Sequence, residues 1–268
     1  MTFHDLFNAD VTIGRDIPYL DDGDPRHTLD VYAPPGASGL PVTLYFYGGG
    51  WRSGDKNLFE HLGRALALRG IIVVAVNYRL TPDVKSPAHA EDCAAAVAWT
   101  LANIERHGGD PGKIFLTGHS AGAHLAALIT LDTHYLADAG VPPATIRGTV
   151  AISGVSDLRV HAETTVFTAR EYVEEAFGSS DRELGAASPV SYIHAGAPPF
   201  LVVVAEDDPA GLREQGKRFA EMLREAGGDV MYISVKGRDH FSIVRRFGPS
   251  DDTTAGAIAD FIKHHTEG

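Results

Sequence analysis

The chain has 268 residues, of which 44% are hydrophobic, a formal net charge of −12 and a single cysteine, Cys93. This length and composition are sufficient for one large domain with a substantial core. The acidic charge, without a basic stripe, argues against a nucleic-acid-binding surface, and the lone cysteine excludes an intrachain disulfide and a cysteine-based zinc site.

Residues 1–10 have neither a basic start nor an apolar core, so they do not have the pattern of a secretion signal. The longest aliphatic runs, 71–76 and 200–205, are too short to cross a bilayer. No linker-like stretch or repeat divides the chain. The sequence therefore predicts a single domain over residues 1–268, in the cytoplasm and without membrane or nucleic-acid partners. The choice between a monomer and a homodimer stays open.

Strand and helix patterns alternate along the chain. Residues 10–33 predict an antiparallel hairpin at a sheet edge. Later apolar runs predict buried strands of a parallel sheet at 42–47, 71–78, 113–118, 148–153, 200–205 and 230–235. Helices are predicted between them at 57–69, 88–107 and 211–226. This order predicts an α/β fold, a mostly parallel sheet flanked by helices, with its site at the carboxyl ends of the strands.

The stretch TGHSAG (117–122) lies between a predicted strand and a predicted helix. Gly-x-Ser-x-Gly is a weak pattern by itself, but in this context it indicates a sharp turn that exposes a nucleophilic serine. Side chains at 118 and 122 would collide with neighbouring backbone in such a turn. We therefore predict Ser120 as the nucleophile, against the simpler reading of a helix-capping serine.

A serine nucleophile needs a base, and the base needs an orienting carboxylate, in the chain order Ser, Asp or Glu, His for this fold. Among the 13 histidines, His240 alone follows a late strand and precedes a helical stretch. The carboxylate is predicted just after the strand 200–205, where Asp208 is preferred to Asp207. Asp157 is the runner-up, and a turn or capping role fits it better.

The serine mechanism also needs backbone N–H donors for an oxyanion. One is predicted at Ala121, directly after the nucleophile. The others are predicted in YGGGW (47–51), because consecutive glycines after a strand let the backbone approach a substrate oxygen. An edge turn is the simpler alternative for these glycines.

Taken together, these residues resemble the α/β-hydrolase superfamily, and more narrowly the hormone-sensitive-lipase-like carboxylesterases and the arylformamidase (kynurenine formamidase) group. The resemblance covers about residues 29–247. It rests on motifs in order: YGGGWRSGDK (47–56), VNYRLTP (76–82), GHSAGAHLAAL (118–128), SGVSDL (153–158), SPVSYI (188–193), EDDPAGLREQGKRFAEML (206–223) and DHFSIV (239–244).

The resemblance implies a catalytic triad of Ser120, Asp208 and His240. It also implies an oxyanion hole similar to one made by Gly49, Gly50 and Ala121, with the choice of the two glycines open by one position. Three further residues beside these motifs are predicted to contact substrate: Tyr47, Trp51 and His119.

Two features differ from the family pattern. The family usually has histidine at the position of Tyr47, which suggests a changed hole or acyl pocket. The lid insertion is short, at about residues 154–190, which favours short or compact acyl groups. Its aromatic residues either line the pocket or pack on the core: Phe167, Tyr172 and Phe177.

The sequence thus predicts a serine carboxylesterase acting through an acyl-enzyme on a small-molecule ester, without metal or cofactor. The alternative is an arylformamidase that hydrolyses N-formyl aryl amides such as N-formylkynurenine, because the triad serves both reactions. A non-catalytic ligand-binding protein on the same scaffold is disfavoured, since such proteins tend to lack the histidine found here as His240.

Overall fold

The computed structural model describes residue 6 and residues 10–164, 168–248 and 252–266. Its strands form one eight-stranded sheet in the order β1-β2-β4-β3-β5-β6-β7-β8. The strands are β1 (Thr12–Pro18), β2 (Thr28–Ala33), β3 (Leu40–Phe46), β4 (Ile72–Val76), β5 (Gly109–His119), β6 (Ile146–Ile152), β7 (Phe200–Asp207) and β8 (Val230–Asp239).

The sheet confirms the predicted fold class. Strands β3 to β8 run parallel to one another. The predicted edge hairpin is also present, because β1 pairs antiparallel with β2, and β2 pairs antiparallel with β4. The central strands are buried on both faces, which explains their continuous apolar runs.

The described α-helices are α1 (Glu60–Ala67), α2 (Ala88–Asn103), α3 (Ala121–Leu131), α4 (His134–Asp138), α5 (Leu158–Thr164), α6 (Thr168–Phe177), α7 (Asp181–Ala186), α8 (Ala210–Glu225), α9 (Ser242–Arg245) and α10 (Thr253–His264). Short 3₁₀ turns occur at Lys56–Phe59, Ile104–His107, Pro143–Thr145 and Pro189–Tyr192. Among the described residues, no helix combines the length and the apolarity needed to cross a membrane.

Helices cover both faces of the sheet, as neighbouring residues of β6 illustrate. A Cβ at Gly148 would lie 3.0 Å from the Phe261 ring of α10, while Thr149 Oγ1 lies 2.7 Å from Thr130 Oγ1 of α3. Successive residues of a strand face opposite sides, so α10 and α3 lie in different layers. Helix α1 contacts α10, and α2 contacts α3.

The predicted helix 57–69 is interrupted near its start. Residues Lys56–Phe59 form a 3₁₀ turn capped by Asp55, and the α-helix begins only at Glu60. Leu62 and Leu66 are buried, but Leu58 is 67% exposed. Leu58 therefore belongs to the surface of the cavity described below rather than to the apolar face of the helix.

Candidate active site

Ser120 lies in a sharp turn between β5 and α3. Its φ of 53° and ψ of −118° are unusual for a residue with a side chain and indicate local backbone strain. The turn requires the flanking glycines, because a Cβ at Gly118 would lie 2.2 Å from Gly122 O, and a Cβ at Gly122 would lie 2.0 Å from Phe46 O. The glycines thus hold a serine side chain at the carboxyl edge of the sheet.

Two other strands bring a histidine and a carboxylate to this serine. Asp208 follows β7 directly, and His240 follows β8 directly. His240 Nε2 lies 3.0 Å from Ser120 Oγ, and His240 Nδ1 lies 2.8 Å from Asp208 Oδ1. A carboxylate accepts from Nδ1–H, which leaves Nε2 able to accept the serine proton. The three residues predicted from the sequence therefore form one hydrogen-bonded chain.

Asp208 is held in its ionised form by three donors. Its side chain is fully buried, and Oδ2 accepts from Ser153 Oγ at 2.6 Å and from the amide of Ala205 at 2.7 Å. Burial alone would raise the pKa of Asp208, but hydrogen bonds from His240, Ser153 and Ala205 outweigh it and lower the pKa below its usual range.

Ser153 was missed by the sequence reasoning. It follows β6 directly, has a φ of 47° and is completely buried. The expectation that site residues lie just after each strand would have found it, because Ser120, Asp208 and His240 occupy the same place after their own strands.

The two other carboxylates considered from the sequence do not contact His240 in the described part of the chain. Asp207 is exposed, and within the described residues it has no hydrogen bond or ion pair to His240. Asp157 forms an ion pair with Arg159 at 2.9 Å. The carboxylate that contacts His240 is therefore Asp208, as preferred from the sequence.

His119 lies in the serine turn and contacts the backbone of His240. It is buried and lines the cavity, and its Nε2–H donates to the carbonyl oxygen of His240 at 2.8 Å. Burial, followed by the nearby His240, lowers the pKa of His119 to about 3. The neutral imidazole of His119 therefore holds the backbone of His240 in place through this hydrogen bond.

The glycine loop 47–54 folds directly over Ser120. A Cβ at Gly48 would lie 2.9 Å from Ser120 Cβ. The loop closes on itself because Gly49 O accepts from the amides of Arg52 and Ser53 at 3.2 and 3.1 Å. Over the described ranges, the amides of Gly49, Gly50 and Ala121 donate to no protein acceptor. These three N–H groups are thus available to a ligand oxygen.

Tyr47 differs from the prediction that it contacts substrate. Its side chain is fully buried and is not part of the cavity wall. Its ring lies parallel to Phe59, with centroids 6.0 Å apart, and stacks on Tyr78 at 4.7 Å. The prediction was wrong because the end of β3 directs this residue behind the glycine loop, into the core.

Trp51 lines the cavity and connects the glycine loop to the lid, and its contact with substrate stays a prediction. Its Nε1–H donates to His124 Nδ1 at 3.2 Å, and His124 Nε2–H donates to Ala187 O at 2.7 Å. Phe177 packs edge-on against Trp51, with ring centroids 4.9 Å apart. Phe177 therefore packs on the core.

Tyr172, from the same lid segment, lines the cavity. A Cβ at Gly50 would lie 2.9 Å from its ring. The guanidinium of Arg52 stacks on Tyr172 at 4.7 Å and pairs with Glu175 at 3.2 Å. Phe167, the third lid aromatic considered from the sequence, lies outside the described residues.

A cavity of about 720 Å³ opens above Ser120. Its wall includes aromatic and aliphatic side chains, among them Leu58 and Phe241 at an exposed rim. Of the described Arg, Lys, Asp and Glu residues, Arg245 alone lines it. His161 also lines it, and burial, followed by the charge of His240, lowers the pKa of His161 to about 4. The cavity has the size and apolar wall typical of small-molecule sites.

Over the described ranges, no group of three His, Cys, Asp or Glu residues could hold a metal ion.

The buried histidines make stability depend on pH. Burial lowers the pKa of both His119 and His124 to about 3, whereas an unfolded chain protonates histidine near pH 6.5. Between these values the unfolded state binds more protons. The contribution of these histidines to the free energy of unfolding is therefore fully present above about pH 6.5. It falls as the pH drops, by about 1.4 kcal/mol per pH unit for each histidine.

We expect His124→Asn to reduce this slope by about one proton between pH 5.5 and 4.5, in urea unfolding followed by circular dichroism. Trp51→Phe is the control, because it removes the same hydrogen bond but keeps the imidazole. It should lower stability while retaining the slope. Equal slopes for His124→Asn and the wild type would contradict the assignment of a neutral buried His124.

The sheet order, the serine turn after β5 and the site at the carboxyl edge are those of an α/β hydrolase. The chain belongs to the family described as alpha/beta hydrolase fold, whose family model matches residues 43–243.

Two relatives and one solved structure illustrate the similarity. The chain is 32% identical over 262 residues to esterase LipQ of Mycobacterium tuberculosis, covering 92% of this chain and 61% of that protein. It is 31% identical over 233 residues to kynurenine formamidase of Danio rerio, covering 86% and 75%. A hyperthermophilic esterase from Pyrobaculum calidifontis superposes with a TM-score of 0.80 at 27% identity, covering 98% of this chain and 89% of that chain. The chain thus spans less than two thirds of the length of LipQ.

Proposed function

We propose that this chain is a serine carboxylesterase. The observation that carries the proposal is the hydrogen-bonded chain Ser120–His240–Asp208 at the base of an apolar cavity, with distances of 3.0 and 2.8 Å. Similarity to the Mycobacterium and Pyrobaculum esterases supports hydrolysis of carboxylic esters.

In the proposed mechanism, Ser120 Oγ attacks the ester carbonyl carbon while His240 Nε2 takes its proton. Asp208 keeps the proton of the imidazole on Nδ1 and stabilises the imidazolium that forms. The amides of Gly49, Gly50 and Ala121 donate to the tetrahedral oxyanion. His240 then protonates the leaving alcohol, and a water activated by the same imidazole releases the acid from the acyl-enzyme.

The proposed substrates are esters of short or compact acyl groups. The acyl and alcohol parts must share a cavity of about 720 Å³, and Tyr172 and Phe177 of the lid approach the glycine loop closely. All the proposed catalytic groups come from one sheet and its adjacent loops, which supports the prediction of a single domain. Cytoplasmic location stays a prediction, and a homodimer stays one of the two open oligomeric states.

An arylformamidase is the second candidate. One observation favours it: the match to kynurenine formamidase covers 75% of that protein, a larger share than the match to LipQ. Both reactions pass through a tetrahedral oxyanion, so the triad geometry serves either substrate.

The test compares kcat/KM for p-nitrophenyl butyrate, p-nitrophenyl dodecanoate and N-formylkynurenine, with Ser120→Ala as the blank. We expect the butyrate to exceed each of the others by about tenfold or more, because pocket shape discriminates by this order. Preference for the formamide would instead establish the arylformamidase. Preference for the dodecanoate would contradict the restriction to short acyl groups.

A further inference from the structure

Arg26 lies outside the proposed triad, yet it touches both ends of the glycine loop. It belongs to the connection between β1 and β2, at the edge of the sheet, and its side chain is 25% exposed. Its guanidinium contacts both ends of loop 47–54, and Arg26 is not among the residues that line the cavity.

One terminal nitrogen of this guanidinium holds the two ends of the loop together. Arg26 Nη2 donates to Tyr47 Oη at 2.6 Å and to Gly54 O at 3.0 Å. The other nitrogens donate to neighbouring segments, Nε to Tyr78 O at 3.2 Å and Nη1 to Asp55 Oδ2 at 3.4 Å. A planar group with five donors in a fixed fork can satisfy all four acceptors at once, which a lysine cannot.

The acceptors are themselves fixed. The Tyr47 ring stacks with both Phe59 and Tyr78, and the Tyr47 backbone oxygen accepts from the Tyr78 hydroxyl at 2.8 Å. Gly54 packs on the same ring, because a Cβ there would lie 2.5 Å from Tyr47 Cδ2. Arg26 thus connects the edge hairpin to a rigid aromatic stack through the Tyr47 hydroxyl.

The loop between these ends needs such a tether. Three consecutive glycines have large conformational freedom, whereas donors stabilise an oxyanion well only when they are held in place beforehand. The histidine common at this position in the similar families is replaced by tyrosine in this chain, and the phenol hydroxyl reaches the arginine from behind the loop.

We propose that Arg26 is a positioning residue for oxyanion stabilisation: by holding Tyr47 and Gly54 together, it fixes the direction of the Gly49 and Gly50 amides. The inference rests on the proposed function, since it assigns a role in the same reaction. Arg26 does not touch substrate and acts only through the loop.

The experiment compares Arg26→Met and Tyr47→Phe with the wild type and with Arg15→Met. Arg15 is the control, because it lies on the same hairpin but its guanidinium pairs with Glu60 at 2.6 Å, away from the loop. Rates on p-nitrophenyl butyrate are normalised to the burst of p-nitrophenol, which counts active enzyme. Affinity for a trifluoromethyl ketone, which forms an oxyanion on the serine, is measured beside KM.

We expect Arg26→Met to lower kcat by about 10- to 100-fold and to lower the affinity for the trifluoromethyl ketone by a similar factor. KM should change by less than about threefold. Tyr47→Phe should have a smaller effect in the same direction. The double variant should be no worse than Arg26→Met alone, because both changes break one contact.

A kcat and ketone affinity for Arg26→Met equal to those of Arg15→Met, or fully additive losses in the double variant, would overturn the proposal. If Arg26→Met does not fold, the kcat and ketone affinity of Arg26→Lys and Tyr47→Phe, compared with Arg15→Met, test the proposal instead. Failure of the proposed function itself would look different: the wild type would then hydrolyse the ester no faster than Ser120→Ala.

Discussion

The Ser120→Ala variant is expected to lose about 10⁶-fold in kcat on p-nitrophenyl butyrate, as removal of a serine nucleophile does in comparable hydrolases. The reason is geometric. Ser120 Oγ is the atom that His240 Nε2 contacts, and alanine leaves the imidazole with no nucleophile to deprotonate. Helix and turn should remain, because the strained backbone depends on Gly118 and Gly122 rather than on the hydroxyl.

Ser191→Ala is the matched control for this result. Ser191 is exposed, its hydroxyl donates to Gly185 O, and it does not line the cavity, so its loss should change kcat by less than about twofold. Intact-mass measurement adds an independent check, because a fluorophosphonate should add to the wild type and not to Ser120→Ala. An adduct on the alanine variant, or more than 1% residual turnover (roughly 10⁴ above the expected level), would show that another group is the nucleophile.

The strands of the sheet could be predicted because each is recognised from a few consecutive residues of the sequence. Runs such as 200–205 are apolar at every position and short, which is the pattern of a strand covered on both faces. Helix ends could be predicted from single glycines, because residues such as Gly108 and Gly227 adopt the positive φ that stops a helix. The irregular start of α1 could not be predicted, because Asn77, which is distant in sequence, accepts from Lys56 N and donates to Asp55 Oδ2 there.

The candidate site was predictable to the extent that chain order determines position. Strand ends of a parallel sheet meet at one edge, so residues just after β5, β7 and β8 had to lie near one another. The direction of each side chain did not follow from this order. Tyr47 begins the glycine loop but is buried outside the cavity wall, and Arg26 reaches that loop from an edge hairpin 21 residues before Tyr47.

Asp208→Asn is expected to lower kcat by about 10³- to 10⁴-fold near neutral pH, because it changes the tautomer of His240. Asp208 Oδ2 accepts from both Ser153 Oγ and the Ala205 amide. In an asparagine, the carbonyl oxygen must take that place, since two donors already point at it. The NH₂ group then faces His240 Nδ1 and donates to it.

An imidazole that accepts at Nδ1 carries its proton on Nε2, where it can no longer take the proton of Ser120. KM should change little, because Asp208 is buried behind His240 and does not line the cavity.

Asp207→Asn and Asp157→Asn are the controls that decide between the carboxylates, since they make the same chemical change at the neighbouring residue and at the runner-up. Asp207 is exposed, and Asp157 pairs with Arg159, so both variants should retain kcat within about threefold. A large loss for Asp207→Asn with little for Asp208→Asn would assign the orienting carboxylate to Asp207. Large losses for both would instead mean that the loop after β7 moves as a unit, because only Asp208 has the buried donors that force the wrong tautomer.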